Sequence, residues 1–323
     1  MIFKMTDAGK AILKTIVYYN CLDYPLTLEE LKNFSSGPKN LEKELKDLVN
    51  DKLIESYNGF YFLKGRKDLA DVRRERNEIA KRKRAIALKG IKWLQMVPYL
   101  KLVFASGSLA LSNTDKESDL DVLIVVKSGR IWTSRFLTVI LLGMLGVRRK
   151  RHQALAPDKI CLNHFITDKS LYIPRKSIYT AQLYARLVPI LLDSQELLEE
   201  FIKQNSWVGE YIPKFPISNF QFPNKFQVPN SKFLNLIRKI GEKVLDTKIG
   251  DWLEAALRKY QLRRINSYHL TYKPGGRVKA DDYSLEFHPD SPELKIIAEY
   301  NKKMIELEFP ELGEERDSGL LHD

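Results

Sequence analysis

Cysteine is nearly missing from this chain: 323 residues hold two, Cys21 and Cys161, far apart and without the spacing of a metal site. That excludes a disulfide framework and makes a reducing cytoplasm the simplest compartment. A long apolar run is missing as well. The nearest candidate, IWTSRFLTVILLGMLGV at 131–147, is interrupted by Arg135. Its apolar part falls short of the roughly 20 residues that cross a bilayer, so a buried helix is expected there and no membrane partner. The opening MIFKMTDAGKAILK lacks the apolar core and cleavage site of a signal peptide. Internal repeats and low-complexity tracts are also absent.

What is present is positive charge. Hydrophobic residues at 44% and charged residues at 29% are ordinary, but 53 Lys and Arg against 41 Asp and Glu leave a formal charge of +12. Such a balance favours polyanionic partners: nucleic acid, nucleoside triphosphates or acidic membrane surfaces. The length allows two or three domains with real cores.

Residues 1–65 read as a self-contained unit. TDAGKAILKTIVYYNCLD has helical spacing with Thr6 or Asp7 as N-cap. Thr27 and Glu30 have the spacing of a capping box, and Leu41, Leu45, Leu48 and Leu53 mark a third helix. LIESYNGFYFLKG predicts two short strands around Asn58-Gly59. Three helices closed by a hairpin resemble the winged-helix domain. The third helix sets Glu42, Glu44, Asp47 and Asp51 against Lys39, Lys43, Lys46 and Lys52, so it lacks the charge that dominates DNA affinity. DNA binding and a docking or dimerisation role both stay open for this unit.

Residues 66–97 form a basic helical connector, with Arg73, Arg74, Arg76, Lys81, Arg82, Lys83 and Arg84 outnumbering Asp71, Glu75 and Glu78. A solvated helix face and a phosphate-contacting surface are both open here. A third region covers 98–210, with helix expected over 177–205. The remainder, 211–323, begins with an extended stretch punctuated by Pro213, Pro216, Pro223 and Pro229. A basic helical segment at 232–265 follows, then a tail containing YSLEFHP.

The chemistry concentrates in KLVFASGSLALSNTDKESDLDVLIVV, at 101–126. KLVFA reads as a buried strand, and Gly107 allows a sharp turn and a close approach to a ligand. Ser108 opens a short helical turn with exposed amides. The chain returns as DLDVLIVV, where residues two apart face the same way, so Asp119 and Asp121 present both carboxylates on one side. Carboxylates entering a buried strand are costly unless protonated, paired or bound to cations. Magnesium, held by one or two carboxylates plus substrate phosphates, suits them.

Gly-Ser, ten residues, then Asp-Leu-Asp and an apolar run is similar to the nucleotidyltransferase motif of the DNA polymerase beta superfamily, over residues 98–170. The whole layout resembles uncharacterised prokaryotic proteins that join an N-terminal winged helix to such a domain. The fold class expected is α+β: a winged helix, a polymerase beta-like palm and a helical C-terminal region. The resemblance implies transfer of a nucleoside monophosphate from an NTP to a hydroxyl acceptor such as RNA, with pyrophosphate released and Mg²⁺ (or Mn²⁺) required. By the same resemblance Gly107 and Ser108 hold the triphosphate, and Asp119 and Asp121 hold the metal.

Family members usually carry a third carboxylate on a later strand. The candidate strand, DKICLNHFITD at 158–168, offers Asn163 there, which cannot serve as a general base at neutral pH. Asp158, Asp168, Asp281, Asp282 and Glu286 are the acids that can replace it. His164 alternates onto the face opposite Asn163 and reads as a core histidine; His288 reads as a cap or turn residue. Arg130 and Arg135 are candidate phosphate contacts, and Arg148, Arg149, Lys150 and Arg151 form a basic cluster. The alternative function is a catalytically impaired NTP-binding regulator that acts through its winged helix on DNA or a protein partner.

Overall fold

Local signals set the first elements. The Thr6 hydroxyl accepts from the Gly9 amide and starts α1 (Asp7–Asn20). β1 (Leu26–Thr27) runs into α2 (Leu28–Phe34) through the Thr27–Glu30 capping box, formed as its spacing predicts. α3 (Leu41–Asn50) buries Leu41, Leu45 and Leu48. β2 (Ile54–Tyr57) and β3 (Phe60–Leu63) reverse at Asn58 and Gly59, with φ of +52° and +80°, the left-handed pair that matches strand twist. The three strands form an antiparallel sheet in the order β1-β3-β2. In this computed structural model the described residues are 5–35, 40–151, 153, 155–216, 227–271, 273–274 and 276–313.

The basic connector is α4 (Leu69–Ile91), and two of its cations are inside the protein. Arg73 donates to Glu30 Oε1 at 2.8 Å and to the Pro25 carbonyl at 3.0 Å, and it stacks 3.6 Å over the Tyr24 ring. Lys83, with no exposed side-chain surface, donates to Asp158 Oδ1 at 2.7 Å and to the Ser118 carbonyl at 2.7 Å. Arg74, Lys81 and Arg82 are exposed. One face of the connector is therefore solvated, while the other is an anchor, a role the charge count alone does not reveal.

The rest of the chain builds a second, larger sheet. In order come β4 (Leu100–Ala105), α5 (Gly107–Leu111), β5 (Leu120–Val126), α6 (Ile131–Met144) and β6 (Ile160–Thr167). Next are α7 (Ile178–Tyr184), β7 (Val188–Leu192), α8 (Gln195–Gln204) and α9 (Val208–Tyr211). α10 (Lys232–Leu245), α11 (Lys248–Asn266), β8 (Arg277–Ala280), β9 (Ser284–His288) and α12 (Glu293–Glu306) complete the described elements. The fold is mixed α+β. β7 corrects the helix expected over 177–205: VPILL is a strand at the sheet edge, where Pro189 removes no bond from an interior ladder. Of the proline-punctuated stretch, 217–226 lies outside the described residues.

The sheet order is β7-β4-β5-β6-β9-β8, with β5 and β6 parallel and the other neighbours antiparallel. Alternation on β5 divides the interior. Leu120, Val122, Ile124 and Val126 face a core that includes Ile131 and Trp132 of α6 and Leu257 of α11. Leu123 and Val125 face the other core, which runs without a break into α1, α2 and α3. Tyr18 meets Tyr300 edge-on at 6.4 Å, and Arg186 lies 3.7 Å over the Phe34 ring. The first 65 residues thus share their core with the larger sheet. α6, the helix expected to be buried, buries one face and leaves Ile140 and Met144 exposed. Among the described residues, no helix is long and apolar enough to cross a membrane.

Candidate metal and nucleotide site

β4 ends beside β5, and the turn between them is shaped around Asp121. Gly107 has a φ of +59°, and a Cβ there would lie 2.6 Å from Asp121 Oδ2. Only glycine fits both the left-handed backbone and that approach. The preceding Ser106 amide donates to the Asp121 carbonyl at 3.0 Å, so turn and strand are locked in register. Ser108 follows at the start of α5 and is partly exposed. Gly107, Ser108 and Asp121 are therefore neighbours, as their spacing predicts.

Asp119, just before β5, and Asp121, on it, turn their carboxylates toward the same place. Oxygens of both lie with Cys161 Sγ in a cluster whose atoms are all within 4.8 Å of one another. Each acid already has a partner. Arg149 Nη1 donates to Asp119 Oδ2, and Asn163 Nδ2 donates to Asp121 Oδ1 at 2.6 Å. Burial, reinforced by the Asp119 charge, pushes the Asp121 carboxyl from 3.8 up to about 7. Burial and then the charges of Asp121 and Asp119 push the Cys161 thiol up, which keeps it protonated and unsuited to nucleophilic attack.

This donor set fits a hard dication. Two converging carboxylates, one of them disfavoured as an anion by burial and its like-charged neighbour, are oxygen donors of the kind such an ion takes, although Cys161 Sγ shares the cluster. Arg149 supplies positive charge from one side and stands where a cation must compete. Asn163 currently offers its NH₂, and rotation of the amide turns its oxygen inward. Among the described residues no carboxylate occupies the third position.

A bulge explains how Asn163 arrives there. The β5–β6 register pairs Asp121 with Cys161 but Leu123 with His164, so β6 has one residue more than β5 across this interval. Simple alternation, which puts His164 on the face opposite Asn163, fails at this point. Both line one small pocket with Ser106, Tyr179, Tyr184, Arg277 and His288. Its free space, about 30 Å³, admits a water or two.

The alternative acids sort by position. Asp158 is committed to Lys83. Asp168, at the far end of β6, receives Lys101 at 2.5 Å and the Ser128 amide. Asp281 caps the Tyr283 and Ser284 amides, while Asp282 accepts from Trp132 Nε1 and Arg258. Glu286 alone among these shares a sheet face with Asp121, being opposite His164 on β9. It is bonded to Arg277, whose other arm reaches Glu293 at 3.1 Å. Burial pushes the Glu286 carboxyl up, but facing His164, Arg277 and His288 more than offset this and hold it below the usual range. Burial pushes the His164 imidazole down to about 4.

The arginines also separate. Arg135 is not at this site: it is half-buried on the opposite face of the sheet, donating to Gln261 Oε1 at 2.6 Å and stacking 4.8 Å over Phe287. Arg130 follows the far end of β5 and pairs with Asp251. Arg151 turns to the Arg264 carbonyl and the Tyr268 ring. Of the basic cluster at 148–151, Arg149 is the member brought to the acids. Its selection follows from the Arg148–Ile160 bridge, which lays the segment beside β6, and no sequence signal marks it. No protein-family model, curated protein or solved structure matches the chain.

Proposed function

We propose that the chain is a nucleotidyltransferase of the DNA polymerase beta type, with a winged-helix unit at its N-terminus and its palm formed by β4, β5 and β6. The observation that carries this reading is the convergence of the Asp119 and Asp121 carboxylates, with a left-handed Gly107 packed against Asp121 Oδ2. Asp119 and Asp121 would hold Mg²⁺, and the Gly107–Ser108 turn would receive the triphosphate. The bound ion supplies charge neutralisation for phosphoryl transfer. In the reaction an acceptor hydroxyl would bond to the α-phosphorus and release its proton to solvent water, while the bond to the bridging oxygen breaks and pyrophosphate departs. Arg149 neutralises Asp119 before the ion arrives, and Asn163 holds Asp121 in place through its amide.

A second reading has its own support: binding without transfer. Asn163 cannot take the proton of an attacking hydroxyl, and among the described residues no carboxylate replaces it. One experiment distinguishes the two. The full chain is incubated with labelled NTPs, Mg²⁺ or Mn²⁺ and cellular RNA, while NTP binding is followed by thermal shift. Label transfer that Asp119→Asn and Asp121→Asn each abolish supports the enzyme. A Mg²⁺-dependent shift lost in the same variants, with no transfer to any acceptor, supports the nucleotide sensor. A folded protein with neither response overturns both.

A further inference from the structure

We propose that His164, Glu286 and His288 form a second metal site, for a transition-metal dication of the Zn²⁺ or Co²⁺ class. It is distinct from the acidic pair and stands whether or not the nucleotidyltransferase reading does. The sheet register makes the set. β6 and β9 are antiparallel with His164 opposite Glu286, and His288 is two residues further along β9, so all three project from one face. One donor atom from each lies within 4.8 Å of the other two. Zinc–nitrogen and zinc–oxygen bonds of about 2.0–2.2 Å place tetrahedral donors roughly 3.4 Å apart. The His288 Nε2 to Glu286 Oε1 distance is already 3.9 Å, on the oxygen that also accepts from Arg277.

The surrounding contacts orient the donors. The Tyr184 hydroxyl meets His164 Nδ1 at 3.3 Å, which fixes the ring and leaves Nε2 as the ligating nitrogen. Arg277 holds Glu286, and the charge of Arg277 is in turn answered by buried Glu293, which also accepts from the Ser177 hydroxyl at 2.6 Å. The small pocket alongside, with room for a water or two, supplies a fourth position. Two imidazoles and one carboxylate select a borderline metal over Mg²⁺. The two clusters on this sheet therefore differ in which ion each accepts. His288 and Glu286 are partly exposed, which gives the ion a path in.

The test is titration of the chelator-treated full chain with Co²⁺ alone, read by visible ligand-field absorption and bound-metal stoichiometry. We expect one equivalent with tetrahedral-type bands and no sulfur-to-cobalt charge transfer. His288→Ala and Glu286→Gln should each weaken that binding by about 100-fold or more. These partly exposed positions are chosen because loss of buried His164 endangers folding. Asp119→Asn combined with Cys161→Ser should leave the absorption unchanged. Absence of Co²⁺ binding, binding indifferent to His288→Ala and Glu286→Gln, or binding lost with Cys161→Ser would each overturn the proposal.

Discussion

Asp121 and Glu286 are both half-buried carboxylates on one face of the same sheet, and they behave in opposite ways. Burial and the Asp119 charge push Asp121 up to about 7. Glu286, penalised by burial in the same sense, ends below the usual range because His164, Arg277 and His288 face it. The difference teaches that burial sets the penalty and the neighbouring charges set the outcome. A compensated acid such as Glu286 can bind a metal only by sharing the oxygen its ion pair already holds. An under-compensated one, held beside a like charge as Asp121 is, gains from any positive charge brought to it.

The largest test removes the compensation from the satisfied side. Arg277→Met leaves half-buried Glu286 without its cation and buried Glu293 with only Arg175, 3.3 Å away, and should cost about 3 kcal/mol of folding free energy in denaturant unfolding. A loss well below that would mean the two glutamates are neutralised from elsewhere.

The second test relieves the other side. With a native value near 7 against an ordinary 3.8, the native state holds the Asp121 proton more tightly than the unfolded chain. Divalent-free protein should therefore lose stability as pH rises from about 4 to about 7 and stay weakened above. Asp121→Asn removes that dependence, raising stability by about 1–3 kcal/mol at pH 8 and by little at pH 4. Equal effects at the two pH values would show that Asp121 is not the strained acid.

The smallest effect is expected from Arg149→Gln. The guanidinium is a third exposed, at 34%, so its pairing with Asp119 is screened and its loss should move stability by no more than about 1 kcal/mol. A larger loss would put Arg149 with Arg277, as part of the framework.

Much of this was legible in the residues. The Thr27–Glu30 box and the Asn58-Gly59 reversal are local events, and local patterns foretell them. What was hidden depends on distant chain. The bulge that brings Asn163 and His164 to one pocket is a property of the β5–β6 pairing, not of either strand alone. VPILL becomes a strand because β4 offers it an edge. Arg135 has the composition of a phosphate contact but a helix facing α11, which carries it to the wrong side of the sheet.

The fully enclosed lysine at position 83 has a mechanical meaning. Ten residues before it on the same helix, Arg73 grips the first three-helix unit, while Lys83 grips the loop that leads into Asp119. At 1.5 Å per residue the two grips are about 15 Å apart along one stiff rod. That rod is a strut, not a tether, and whatever tilts the N-terminal unit pulls on the strand entrance where the two acids stand.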